Sequence, residues 1–366
     1  MHDDQARAAD YDDPMCSKLL GTAADVLRSF GSAFGGRHLA IVGGAVPSLL
    51  VGRLPDRLRP HVGTADLDFH LSLHLLDGET ADYYQAIIDG LRSLGLRTDM
   101  QGGREVKWRW VGRHRGATVQ VEFLCPMRDR AGRPEKPASG TPAEANIGPA
   151  GEITALAVGY GHLVPRDTVY VERRVLTSDG MLGYEFPVAG LAPWLCLKAD
   201  AIMRRRKPKD AYDVVWLLGA LGPERAAAQI SDSPLSNEEL ALDVLGQLVR
   251  LINDQFRDTT SVGPAMYAKF QEADDDAADR RHAFGTIAAF GRALKECGIN
   301  FLHGTSARVR CGCRTGPCGR RRTRGWRSAR GHRRSLRANR WHAVRRSRPG
   351  VPRWRAGGRR SRPERW

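Results

Sequence analysis

Gly63-Thr64-Ala65-Asp66-Leu67-Asp68-Phe69-His70, preceded by Leu39-Ala40-Ile41-Val42-Gly43-Gly44, decides how this chain is read. In an extended strand, residues i and i+2 share a face. Asp66 and Asp68 are therefore expected to project together, while Leu67 and Phe69 enter a core. Paired carboxylates on a rigid strand suit a divalent cation that neutralises phosphate charge. A glycine pair where a strand turns into a helix lets backbone N–H groups approach phosphate closely. The pattern points to phosphoryl or nucleotidyl transfer. A lone Asp-x-Asp is also an ordinary exposed strand face, and Gly43-Gly44 is what lifts this one above that reading.

Working outward, 366 residues suffice for one large or two ordinary domains. The net charge of +16 is unevenly spread. Gly304 to Trp366 holds 22 Arg, no Lys and one acid, Glu364, a balance of +21 that leaves −5 for the rest. Two readings of this tail compete: a nucleic-acid-binding arginine arm, or out-of-frame translation near the end of a GC-rich gene, which the lack of Lys favours. Either way it has too few aliphatics for a core and is expected to be disordered. The seven cysteines (Cys16, Cys125, Cys196, Cys297, Cys311, Cys313, Cys318) form no disulfide framework. Cys311, Cys313 and Cys318 lack a convincing fourth metal ligand. The acidic start (Asp3, Asp4, Asp10, Asp12, Asp13) is unlike a signal peptide, and no apolar run reaches the ~18 residues of a membrane span. A cytoplasmic protein with no membrane partner is expected.

The periodicities predict an α+β protein. A flexible lead over 1–15 precedes a catalytic α/β domain over 16–190 with a mixed sheet. Within it, helices are expected over 17–34, 45–51 and 82–94, and strands over 37–42 and 64–73. Strands 105–111 and 117–124 should form a hairpin through Gly112–Gly116, with Val119, Val121 and Phe123 inward and Gln120 and Glu122 outward. Arg128–Gly151 reads as a loop or lid. Further strands are expected over 168–176 and 184–188. A helical domain over 191–303 completes the site, and Ser236-Asn-Glu-Glu239 supplies a capping box. The disordered Arg-rich tail occupies 304–366.

If the strand of Glu122 lies beside that of Asp66 and Asp68, three carboxylates converge on one or two Mg²⁺ (or Mn²⁺) ions. A second cluster runs from Leu195 to Asp213. Lys198 lies in an apolar stretch, where it can hold a triphosphate as a point charge or simply snorkel to solvent. Asp210 and Asp213 share a helix face, and Asp210 equally suits a first helical turn. Arg204–Arg206 reads as a solvated run unless the site recruits it.

Gly43-Gly44, Thr64-x-Asp66-x-Asp68, and Lys198 with Arg204 and Lys209-Asp210-x-x-Asp213 resemble the AbiEii-type nucleotidyltransferases. These belong to the DNA polymerase β-like nucleotidyltransferase superfamily and include toxins of type IV-style toxin–antitoxin and abortive-infection (phage defence) systems. The resemblance spans roughly residues 20–300 in the order of its parts. It implies a nucleotidyltransferase fold with Asp66, Asp68 and Glu122 as metal ligands. Gly43, Gly44, Thr64 and Lys198 would bind the NTP. Lys198 and Asp210 would complete the catalytic set, with Asp210 as base or orienter. It further implies a tRNA 3′ end as acceptor and a cognate antitoxin as partner. The chain departs from the pattern at Ala45, where a small hydroxyl residue often follows the glycines, and in a long connection from Gly44 to Asp66 carrying Pro47, Pro55 and Pro60.

Two other functions fit the same residues. One is transfer to a small hydroxylated acceptor, as in aminoglycoside nucleotidyltransferases, which the mildly acidic body favours. Arg104, Lys107, Arg109, Arg113 and Arg115 could instead supply a basic RNA patch. The other is a degenerate, non-enzymatic nucleotide-binding protein.

Overall fold

The computed structural model describes residues 13–30, 39–56, 58–64, 66–71, 81–127, 144–146, 151–237, 241–272 and 275–299. The chain divides into two units, Met1–Gly312 and Cys313–Trp366, and every described residue belongs to the first. Residues 1–12 of the lead expected over 1–15, most of the 128–151 loop, Glu238 and Glu239 of the capping box, and the whole Arg-rich tail with its three cysteines lie outside the described residues. Asp13–Met15, expected in that lead, already belong to the first helix.

The described strands form one mixed sheet inside an α+β architecture. Helix α1 (Asp13–Ser29) buries Leu19, Ala23, Val26 and Leu27 from a single stripe, as its spacing dictates. Strand β1 (Leu39–Val42) is wholly buried and runs into a 3₁₀ turn, Gly43–Ala45, and the short helix α2 (Val46–Leu50). Strand β2 (Asp66–Leu71) follows. Helix α3 (Ala81–Ser93) ends in a left-handed Gly95 (φ +76°). There the Leu96 N–H reaches the Leu91 carbonyl and the Gly95 N–H that of Arg92, so two terminal carbonyls are satisfied.

Strand β3 (Arg97–Gln101) is absent from the sequence reading. Its side chains do not alternate in hydrophobicity, and Met100 is 61% exposed. Backbone pairing with β4 (Arg104–His114) is what holds it. The hairpin from β4 to β5 (Ala117–Pro126) is real but tighter than expected. Gly112 lies within the strand, and only Arg115 and Gly116 (φ 53° and 78°) make the turn, the positive φ pair a type I′ turn demands. Val119, Val121 and Phe123 are buried as anticipated.

Strands β6 (Glu144–Asn146) and β7 (Thr154–Val158) were also unforeseen. β6 falls in the segment read as a loop, and β7 is Thr-Ala-Leu-Ala-Val, a five-residue run without an aromatic whose two alanines dilute its strand preference. Strands β8 (Thr168–Thr177) and β9 (Gly180–Ala189) form a long hairpin. The order across the sheet is β3-β4-β5-β2-β1-β9-β8, with β7 pairing β5 and β6. β2 runs antiparallel to β1 and parallel to β5, and β1 runs parallel to β9.

Gly190 alone separates β9 from α4 (Leu191–Arg204). Helix α4 is tied to the sheet by Trp194, whose Nε1–H donates to the Gly43 carbonyl at 2.9 Å. Then come α5 (Pro208–Leu221), α6 (Pro223–Asp232), α7 (Ala241–Val249), a π-helical turn over Arg250–Gln255, α8 (Val262–Gln271) and α9 (Asp276–Glu296). Proline occupies the first helical position of α5 and α6, where its missing N–H costs nothing. Among the described residues no helix is long and apolar enough to cross a membrane.

Candidate active site

β2 presents Asp66 and Asp68 on one face, while Leu67, Phe69 and Leu71 are buried on the other. Pairing places Asp68 beside Val42 of β1 and Glu122 of β5. The conditional adjacency of Glu122 is therefore met at the level of the backbone. Its Oε1 accepts from Arg109 Nε at 2.8 Å and from Gln120 Nε2 at 2.7 Å. Burial, together with the Asp68 and Asp66 charges, pushes the Glu122 carboxyl up to about 8, against the opposing pull of Arg109. Asp68 is also raised, chiefly by burial, with Arg205, Lys198 and Lys209 offsetting part of the effect.

The glycine pair has an internal reason to be glycine. Gly43 has φ +69°, and a Cβ placed on it would sit 1.7 Å from Asp68 Oδ2. A Cβ on Gly44 would meet Thr64 at 2.9 Å and Lys209 Nζ at 3.0 Å. The Thr64 hydroxyl accepts from the Asp66 N–H at 3.4 Å. The strand-to-helix turn thus brings Asp68, Thr64 and Lys209 within reach of one short stretch of backbone.

Lys198 does not snorkel. It is 5% exposed, and its Nζ lies 2.8 Å from Asp210 Oδ1 and 2.7 Å from Asp213 Oδ2. Burial alone would lower its pKa; the two carboxylates outweigh it and the ammonium is held above its usual range. Burial would raise Asp210, but Arg205 and Lys198 hold it below the ordinary carboxylate range. Asp213 is treated likewise by Lys198 and Lys209 and lies far below that range. Lys209 Nζ and His61 Nε2 both reach Asp213 Oδ1, at 2.8 and 3.0 Å.

Arg205 is no solvated bystander, because its Nη2 lies 2.9 Å from Asp210 Oδ1. Arg204 pairs with Asp200 at 2.8 Å. Asp210 Oδ2, by contrast, is buried with no hydrogen-bond partner. A buried, ionised oxygen left unpaired is costly and marks a place where a ligand group would be welcome.

A cavity of about 840 Å³ opens beside these groups. Gly43, Asp68 and Glu122 line one side, Lys198 and Arg205 another, and Leu124, Leu156 and Leu197 contribute apolar wall. Among the described residues no three His, Cys, Asp or Glu side chains are gathered at metal-ligand spacing. Two carboxylates completed by substrate phosphates and water are nevertheless a normal environment for Mg²⁺. The hard oxygen donors of Asp66 and Asp68, and the upward shift at Glu122 that burial and those two neighbouring carboxylates produce, fit such an ion.

Sequence reasoning passed over His61 and undervalued Arg205 and Lys209. His61 sits in a proline-rich connection with no periodicity, its position just before the Gly-Thr-x-Asp motif being the sole clue. No protein-family model matches the chain, and no curated protein matches it.

Proposed function

We propose that this chain is a Mg²⁺-dependent (or Mn²⁺-dependent) nucleotidyltransferase that moves an NMP from an NTP to an acceptor hydroxyl. The observation that carries this reading is the cavity itself, whose lining combines the carboxylates Asp68 and Glu122 with the cations Lys198 and Arg205 around a volume of about 840 Å³. Asp66 and Asp68 would hold the cation, with Glu122 beside them. When bound, the cation neutralises phosphate charge and polarises the reacting phosphorus. Lys198, Arg205 and Lys209 attract the triphosphate and position its α-phosphorus. The acceptor oxygen bonds to that phosphorus, the bond to pyrophosphate breaks, and the hydroxyl proton departs to solvent. The low basicity of Asp210 suits Oδ2 to accepting a hydrogen bond from the acceptor hydroxyl, an orienting role rather than that of a strong base.

Following the resemblance, the acceptor is a tRNA 3′ end and the setting a cytoplasmic toxin–antitoxin or phage-defence system with a cognate antitoxin. A small hydroxylated acceptor is the second reading, and one observation favours it. The basic hairpin is largely committed internally: Lys107 donates to the Gly151 carbonyl, Arg109 to Glu122, Arg113 to the Gly116 carbonyl and Arg115 to the Leu176 carbonyl. The test incubates full-length protein with Mg²⁺, each labelled NTP in turn, and either total tRNA or an aminoglycoside, beside an Asp66→Ala control. Label on tRNA that vanishes in the control supports the first reading. Label on the aminoglycoside supports the second. NTP binding without transfer to either sinks both in favour of a binding protein.

A further inference from the structure

His61 is buried, and both ring nitrogens are engaged. The Gly63 N–H donates to Nδ1 at 3.0 Å, so the ring proton resides on Nε2, which donates to Asp213 Oδ1 at 3.0 Å. The ring packs edge-on to Trp216, with centroids 4.8 Å apart, and lies 5.2 Å from Tyr212. Those two residues also grip the neighbouring backbone. The Val62 N–H donates to the Tyr212 hydroxyl at 3.2 Å, and Trp216 Nε1–H donates to the Arg59 carbonyl at 2.9 Å. Three side chains of α5 thus fasten residues 59–63, the segment that delivers Thr64 and Asp66. The His61 link joins that segment to the carboxylate shared by Lys198 and Lys209.

We propose that His61 is a positioning residue of the nucleotide site: through its neutral Nε2–H tautomer it fixes the Gly63–Thr64 turn relative to Asp213 and its two lysines. This rests on the nucleotidyltransferase reading for its purpose but not for its geometry. Gly63 has φ +80°, so the turn lacks the steric confinement a side chain would bring, and a bond across it has real work to replace. Misplacing Thr64 relative to Lys209 would separate groups that meet at Gly44.

Two substitutions divide the bonds. His61→Asn retains an acceptor near Nδ1 for the Gly63 N–H but cannot reach Asp213. His61→Gln retains a donor near Nε2 but offers Gly63 nothing. In full-length protein, amide exchange at Gly63 should stay protected in His61→Asn and become fast in His61→Gln. Affinity for Mg²⁺ with a non-hydrolysable NTP analogue should fall in both on the order of tenfold. A merely structural histidine would lower both unfolding midpoints yet leave analogue affinity of the folded protein unchanged, and that result overturns the proposal. Nitrogen-15 shifts of His61 in the unsubstituted chain give a reading that needs no variant to fold: a proton on Nδ1 refutes the assignment. Should the unsubstituted protein bind no analogue, the nucleotide reading fails by itself. Gly63 exchange then still shows whether His61 holds the turn, and indifference to His61→Gln would reject it.

Discussion

Gly43 lies directly beneath the carboxylate of Asp68, so close that a methyl group on Gly43 would overlap Oδ2. The backbone is also left-handed there, at φ +69°. Gly43→Ala should therefore cost ~1–3 kcal/mol in denaturant unfolding through strain alone. Because relief requires Asp68 to move, transfer should fall further than stability, by about 10²-fold. Wild-type transfer in a folded Gly43→Ala protein would show that Asp68 is not held for chemistry.

Asp68 itself pulls the other way. Its ionised form is disfavoured by burial, which Arg205 and the lysines only partly offset. Asp68→Asn should unfold at a denaturant concentration no lower than the unsubstituted chain while losing transfer by at least about 10²-fold. A marked drop in unfolding midpoint would mean that the carboxylate is structural.

Lys198 is expected to behave in the opposite manner. Lys198→Met removes a cation from two buried carboxylates at once and should destabilise by about 3–5 kcal/mol. Lys209→Met should cost less, since Asp213 then keeps Lys198 and His61. Equal unfolding midpoints for the two variants would contradict this ranking.

Glu122 carries a pH signature. Its folded-state carboxyl is raised from 4.5 to about 8, so between those values the folded chain retains a proton the unfolded chain has released. Stability should accordingly decline as pH rises across that window. Urea unfolding at a series of pH values should show the decline in the unsubstituted protein and a flatter profile in Glu122→Gln. Mg²⁺ should diminish the decline by favouring the ionised form. A profile identical in Glu122→Gln would assign the effect elsewhere.

Much of this was legible in the residues. The alternation of β2 and β5 follows from Leu67, Phe69, Val119, Val121 and Phe123, and the stripe of α1 from its spacing. The proximity of Asp68 to Glu122 was legible only as a condition, because register between strands separated by a helix and a hairpin is a tertiary fact. Lys198 was conspicuous as a lysine among apolar residues, yet its partners come from the next helix, at a crossing that spacing does not encode. β3 and β7 escaped notice because pairing, not side-chain pattern, makes them strands. His61 was hidden for a similar reason: its meaning lies in Asp213, 152 positions away.

That separation bears on how the protein comes into being. A chain emerging from the ribosome exposes Asp66, Asp68 and Glu122 long before α5 has been made. Lys198, Arg205 and Lys209 all arrive in the second half of synthesis, as do the acids that anchor them. The nascent N-terminal part has Arg109 to pair with Glu122, but Asp68 still lacks Lys198, Arg205 and Lys209, and the turn at Gly63 lacks the fastening that α5 supplies. Its strands can begin to pair, but closure of the long loop between residues 61 and 213 must wait for the helices. On the proposed function, the nucleotide site is thus incomplete until most of the described chain exists.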